Sequence, residues 1–433
     1  MEREIMEELV KWKGSKGRKP LVLKGARQTG KTWLMKEFGK RCYKHVVYCN
    51  FDEEPELNSI FASTKEPLRL VEMLGLVKGE KILPYDTLLV FDEIQECPAA
   101  LNALKYFREE QPDFHIVAAG SLLGTLLAVP GAYPVGQVEL LSVGPLTFRE
   151  VLRESQPALE EFYSQMPSLQ AVPEIFHQRL LEAYHRYLMI GGMPECVHEW
   201  LTSHDPQRVE KLQRDLLSLY ENDFAKHNKK VDAGRILLAY RSIVPQLSRE
   251  NKKFTYGLIK RGARAREFEI ALAWLCSSGI LNRIANVTKP MHPLPAYEKE
   301  GFFKLYFFDT GLLKCAAGVA NAAILLGKDY QFKGALAENF VQQQWQGRLQ
   351  VPLHYFAPDS VHEIDFLLQD EMGEVVPIEV KAGSSNKAAS FKSYLAKYQP
   401  HTAIRYSEMP LKKDGAFVNL PIYMAGLGIE TFC

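Results

Sequence analysis

Four apolar runs punctuate the first third of the chain: PLVLK at 20–24, HVVYCNF at 45–51, TLLVF at 87–91 and FHIVAAGS at 114–121. Each is continuous rather than alternating, the pattern of a strand buried on both faces, so a parallel sheet with helices on either side is predicted. VELLSVGPL at 138–146 reads as the last strand of that sheet. From 147 to about 229 the period becomes helical. Residues 176–190 place apolar side chains on one face until Gly191-Gly192-Met193-Pro194 breaks the run, and a second long helix covers about 206–227. Residues 233–289 give three helices followed by the first strand of a β pair, 280–284, with its mate at 303–308. Near Gly334 the character changes again: a helix at 335–345, a hairpin from 353–356 and 363–368, and a strand at 375–381.

Between the first strand and the first sheet helix lies Gly25-Ala26-Arg27-Gln28-Thr29-Gly30-Lys31-Thr32. Strand, glycine-rich loop and helix in that order are the context in which such a loop holds a nucleotide triphosphate. Gly25 and Gly30 let the backbone turn its N–H groups toward phosphates, and Ala26, Arg27, Gln28 and Thr29 supply the rest of the cradle. The helix starting near Lys31 adds the positive end of its dipole. Lys31 is expected to reach the β- and γ-phosphates, and Thr32 to give its hydroxyl to Mg²⁺. ATP with Mg²⁺ is therefore the expected ligand.

The run at 87–91 ends in Asp92-Glu93. A carboxylate at the C-terminal end of a buried strand stands beside the phosphate loop of an open α/β sheet. Asp92 is assigned to Mg²⁺ and Glu93 to polarising the attacking water; by themselves the two would read as solvated acids. Ser121, at the end of the fourth run, has two readings of equal weight: a γ-phosphate sensor or a helix cap. No arginine finger can be assigned.

In the middle of the chain, three helices and a β pair have the order of a winged helix. Lys252, Lys253, Lys260, Arg261, Arg264 and Arg266 are interleaved with Phe254 and Tyr256. Phosphate contact is one reading of that basic stretch, and a solvated helix face or a domain interface is the other, slightly favoured because the net charge is near zero.

Near the C-terminus, Glu338 lies on a helix, Asp365 on one strand, and Glu379 and Lys381 on the next. Alternation puts Glu379 and Lys381 on one face. Asp365 and Glu379 can hold a divalent ion, Mg²⁺ or Mn²⁺, through oxygen, and Glu338 a second metal or a metal-bound water. Such an ion activates water against a phosphodiester, and Lys381 offsets transition-state charge.

Composition narrows the classes. At 433 residues the chain exceeds what one core organises. A net charge of +1 argues against a basic nucleic-acid coat, leaving only local patches. The seven cysteines form no CxxC or zinc-like spacing, so free thiols in a reducing cytoplasm are expected. The charged first twenty residues do not read as a signal peptide, and no apolar run is long enough to span a bilayer.

The segments LVLKGARQTGKTWLMKEF, VVYCNFDEEP, LLVFDEIQ, AAGSLLG, YPVGQVELLSVGPLTFREVL, GGMPE, LYENDFAKH, NKKFTYGLIKRGARARE, FKLYFFDTGLL, ENFVQQQ, EIDFLL and PIEVKAG run the length of the chain. Together they resemble the prokaryotic AAA-type P-loop ATPases that carry a C-terminal domain of unknown function with a PD-(D/E)xK nuclease-like core. Two departures stand out: Ile364 precedes Asp365 in place of the proline–aspartate pair, and Gln137 stands where relatives more often have a basic residue. The resemblance implies an α/β architecture in four parts. These are a P-loop AAA-type parallel-sheet core (1–155), a helical lid (156–230), a winged-helix-like domain (231–315) and a restriction-endonuclease-like domain (316–433). It implies ATP/ADP as ligand; the phosphate loop, the Asp92-Glu93 pair and the C-terminal acids point to an ATP-driven switch or motor, with a signalling or scaffold ATPase as the alternative. Many domains of the nuclease superfamily keep the fold without cutting. DNA or RNA is the expected target of the last domain; a protein partner or homo-oligomer is the alternative.

Overall fold

Alternate residues of the apolar strands part to opposite faces of one sheet. Val22, Leu89, Phe91 and Ile116 join one core, whereas Leu21, Leu23, Leu88, Val90 and Val117 join the other. The computed structural model describes all residues except 121–135, 167–170, 227–229, 328–329, 347–351, 360–361, 371, 384–388 and 428–433. The chain divides into two compact units, Met1–Gly144 with Ser277–Ile280, and Pro145–Cys276 with Leu281–Cys433.

The first unit is built on β1 (Leu21–Lys24), β2 (His45–Asn50), β3 (Thr87–Asp92), β4 (His115–Ala119) and β5 (Glu139–Ser142), in the order β2-β3-β4-β1-β5. Every pairing is parallel. The central strands β3 and β4 are buried at every residue, as their unbroken apolar sequences require. On one face the helices Leu57–Ser63, Pro67–Lys78 and Pro98–Glu110 enclose Phe51, Phe61 and Phe91, whose rings meet edge to face at 5.5–5.8 Å. On the other, Lys31–Cys42 buries Leu34, Met35 and Phe38, and Met6–Gly14 buries Met6, Leu9 and Trp12.

The second unit holds the remaining helices and an eight-stranded mixed sheet. Its strands are β6 (Leu281–Val287), β7 (Glu298–Phe307), β8 (His354–Phe356), β9 (Ile364–Gln369), β10 (Val375–Val380), β11 (Ala403–Ser407), β12 (Lys412–Asp414) and β13 (Phe417–Pro421). They lie in the order β12-β13-β11-β10-β9-β8-β6-β7. The expected β pair, β6 and β7, is antiparallel, and β6 also pairs in parallel with β8. The pair after the three middle helices is thereby continuous with the C-terminal sheet. The helix Lys333–Trp345 is buried from Ala335 to Trp345. A helix enclosed all round must satisfy its polar side chains internally. Gln343 Oε1 accepts from the Thr310 amide and hydroxyl at 2.8 and 2.6 Å, and Gln344 Oε1 from Phe148 N at 2.7 Å. Among the described residues no helix is long and apolar enough to cross a membrane.

Candidate functional site

The loop after β1 needs its glycines. Gly25 has φ +147°, and a Cβ there would lie 2.2 Å from the Val143 carbonyl oxygen. Gly30, at φ 88°, begins the helix Lys31–Cys42 with no side-chain cap, and the first turn holds no acidic residue. The helix's own first turn therefore supplies no acid to its opening N–H groups and positive dipole end, and a phosphate oxygen fits that need. Thr29 Oγ1 donates to Ala26 O at 3.0 Å, closing the loop on itself.

Lys31 is buried, and its ammonium donates to the carbonyls of Gly25 and Ala26 at 3.0 and 2.7 Å. Burial lowers its pKa to about 8, against the raising influence of Glu93 and Asp92. A desolvated ammonium that donates to two neutral carbonyls gains much from an arriving polyanion. The Thr32 hydroxyl donates to Asp92 Oδ2 at 2.7 Å. Asp92, at the last position of β3, also accepts from the Glu93 amide at 3.0 Å through Oδ1. Glu93 adopts a left-handed backbone, φ 49° and ψ 42°, and its carboxylate accepts from Gln95 Nε2 at 2.6 Å. Left-handed backbone at a non-glycine residue is uncommon and concentrates at functional turns. Ser121 lies outside the described residues.

Three features of this site escaped the sequence reading. Tyr48, on β2, donates its hydroxyl to Asp92 Oδ2 at 2.8 Å. Arg3 is buried and donates to Thr29 O at 2.9 Å and Gly144 O at 2.8 Å, tying the loop to the end of β5. The segment Ser277–Ile280 packs on the loop: a Cβ at Gly279 would lie 3.1 Å from Ala26 N. Only the glycine, at φ +77°, carried a local signal.

In the second unit, Glu338, Asp365, Glu379 and Lys381 come together with three residues the sequence reading left apart: Lys252, Lys304 and Glu363. Lys381 and Glu379 form an ion pair. Asp365 Oδ2 accepts from Val380 N at 2.7 Å. Glu338 accepts from Lys252 at 2.6 Å and from the Tyr306 hydroxyl at 2.8 Å. Lys304, wholly buried on β7, pairs with Glu363 and lies 4.0 Å from Glu338. Burial, then Glu379 and Glu338, push the Asp365 carboxyl well above the usual range. Burial likewise raises Glu379, with Lys381 opposing. Glu338 goes the other way, because Lys252 and Lys304 outweigh its burial. Lysine ammoniums thus supply the positive charge at these acids. Among the described residues no group of three or more His, Cys, Asp or Glu is arranged to hold a metal ion. Of the middle basic stretch, Lys252 is spent on Glu338, while Lys260, Arg261, Arg264 and Arg266 are exposed.

Comparison with known proteins gives three family matches: an AAA domain over residues 17–152, and two domains of unknown function, DUF8612 over 181–323 and DUF4143 over 333–423. An uncharacterised protein of Methanocaldococcus jannaschii is 21% identical over 391 residues, covering 86% of this chain and 77% of its own. Among solved structures, a Walker-type ATPase of Pyrococcus abyssi is 16% identical, covering 72% of this chain and 95% of that one, with a TM-score of 0.46. AMPPCP-bound DnaA of Aquifex aeolicus is 17% identical over 63% of this chain and 85% of its own, with a TM-score of 0.29. Likenesses this distant carry no argument about substrate. The matched AAA domain and the geometry at Lys31, Thr32 and Asp92 agree on an AAA-type P-loop ATPase domain in the first third of the chain.

Proposed function

We propose that the chain is a Mg²⁺-dependent ATPase that works as a molecular switch. The observation that carries the proposal is the Thr32–Asp92 contact at 2.7 Å, with Glu93 next in sequence at a strand end. Thr32 and Asp92 would hold the Mg²⁺ of bound ATP, which when present neutralises developing charge on the phosphates. Lys31 exchanges two carbonyls for phosphate oxygens. Glu93 orients and deprotonates the attacking water. Phosphate release from ATP by purified protein, lost on Lys31→Ala, tests this; turnover unchanged in that variant would sink it.

For the C-terminal domain we infer engagement of nucleic acid through the surroundings of Asp365 and Lys381. The support is the gathering of Glu338, Asp365, Glu379 and Lys381 from one helix and two neighbouring strands. A second reading, a binding platform without cleavage, is favoured by a specific observation: Lys252 and Lys381 already occupy Glu338 and Glu379. As the acids stand they do not fit a divalent ion, and strand cleavage would require those two lysines to move. Supercoiled DNA and single-stranded RNA incubated with Mg²⁺ or Mn²⁺, with and without ATP, separate the readings. Nicking abolished by Asp365→Ala and by Lys381→Ala supports a nuclease; no cleavage under any condition supports the platform.

A further inference from the structure

At the N-terminal edge of the first sheet, away from the phosphate loop at the strands' other ends, lies a cavity of about 690 Å³. It collects chain from before β1, before β3 and at the start of β4. The size falls within the range of about 300–1,000 Å³ typical of ligand sites. Lys16, Arg18 and Arg108 line it and Asp113 opposes them, so the wall carries an excess of positive charge.

Among the described residues two nitrogen atoms there are buried without a hydrogen-bond partner, Arg18 Nε and His115 Nε2. Burial lowers the Arg18 pKa, the mark of a cation short of compensating charge. His115 is 2% exposed, and its Nδ1 meets the Tyr43 hydroxyl at 2.6 Å. Whichever of the two donates, His115 Nε2 remains a buried polar atom without a partner among the described residues. An unsatisfied buried donor costs about 1–3 kcal/mol, and an unsatisfied charged group more. Solvated surface lysines incur no such cost, so this wall differs from an ordinary charged face.

The rim adds an aromatic platform. Tyr85 is 56% exposed and held at φ 62°, a backbone region that a bulky residue rarely adopts. Its hydroxyl donates to Asp113, its ring lies 5.7 Å from that of His115, and the Arg18 guanidinium stands 5.8 Å from its centroid. The ring is thus fixed in place with much of its surface open to solvent. Donors for phosphate beside a fixed ring are what single-stranded nucleic acid requires, because every base has a face to stack and every linkage a charge.

We propose that this cavity binds single-stranded nucleic acid, with Lys16, Arg18 and Arg108 on the phosphodiester backbone and an unpaired base against Tyr85. This goes beyond the ATPase reading and is independent of the C-terminal cluster.

The test is fluorescence anisotropy of a labelled 12-mer oligodeoxythymidylate with the full chain, across a salt series. Removing two cations in Lys16→Ala/Arg108→Ala should weaken binding at least tenfold and make the salt slope shallower by about 1.4, at about 0.7 per phosphate contact of a single strand. Tyr85→Ala should lose about tenfold on the oligonucleotide but nothing on an abasic strand of equal length. Lys211→Ala, which removes an exposed cation from the other unit, should bind as wild type does. Thermal unfolding verifies that each variant is folded. The proposal is overturned if the folded double variant binds like wild type, if wild type does not bind, or if polyglutamate of equal charge displaces the strand as well as unlabelled oligonucleotide.

Discussion

Thr32 and Asp92, 60 positions apart in sequence, share a hydrogen bond of 2.7 Å that joins the start of one helix to the end of one strand. Tyr48 reaches the same carboxylate oxygen from the neighbouring strand. Asp92 is thereby aimed from two sides before any ligand arrives. Loss of a residue that orients a metal's surroundings typically costs 10–100-fold in metal affinity. Thr32→Val and Tyr48→Phe should each raise the Mg²⁺ concentration for half-maximal ATP turnover, Thr32→Val by about 10–100-fold and Tyr48→Phe by less. A Mg²⁺ titration of steady-state ATPase rate reads both.

Glu93 is positioned by its left-handed backbone and by Gln95. A general base affects the chemical step and not the binding of nucleotide. Glu93→Gln should lower kcat by about 10²–10⁴-fold, with the affinity for a fluorescent ATP analogue unchanged. Loss of binding in parallel with kcat would show Glu93 to be structural instead.

Lys31 gives a pH signature. Its folded pKa of about 8 lies below the ordinary 10.5, so between these values the unfolded chain holds more protons than the folded one. Its contribution to stability therefore rises with pH across that window in nucleotide-free protein. ATP brings negative charge to the ammonium and restores its proton. Near pH 9 binding should take up close to one proton, and near pH 6.5 almost none from this group. Calorimetry in buffers of different ionisation enthalpy measures the uptake, which should vanish in Lys31→Met.

Local chemistry made the ATP site legible. The phosphate loop, the Asp92-Glu93 strand end and the apolar runs are contiguous signals, and each sits where its pattern indicated. What was missed depends on contacts without a local signature. Arg3 is one basic residue in a charged N-terminus until it meets Thr29 O and Gly144 O. The pairing of β6 with β8 joins residues about seventy positions apart, and strand order is not written in either strand. Lys304 did leave a trace: a lysine between Phe303 and Leu305 in an otherwise apolar strand is a buried charge in search of partners. Its partners, Glu338 and Glu363, lie on other elements, and that is why the C-terminal cluster read as four residues and not seven.

The segment Ser277–Ile280 offers a test of the loop's surroundings. Gly279 combines φ +77° with a position where a Cβ would crowd Ala26 N at 3.1 Å. Gly279→Ala carries a left-handed backbone cost of about 1–2 kcal/mol and pushes against the phosphate loop. We expect a lower Tm and weaker ATP binding together. Gly262→Ala is the control: it has a similar φ, +79°, but nothing lies within 4 Å of the added carbon. It should lose stability by a similar amount with ATP affinity intact.

Asp365 decides how much the C-terminal cluster costs the fold. Its carboxyl is raised well above 3.8, chiefly by burial and then by Glu379 and Glu338, so from about pH 4 up to its folded pKa the folded chain holds the extra proton. A raised carboxyl favours folding at low pH and progressively less as pH rises through that window. Within it the folded protein keeps a proton that water would take, and above it carries a buried anion beside Glu379 and Glu338. Asp365→Asn removes the titration and retains an oxygen to accept from Val380 N, which donates to the carboxylate at 2.7 Å. The variant should therefore gain stability over wild type at pH 8 and gain little at pH 4.5. Urea unfolding at the two pH values measures the difference. A variant less stable than wild type at pH 8 would mean that Lys381 and Lys304 compensate Asp365 fully, and that the acid is a structural partner of those lysines and not a site kept at the expense of stability.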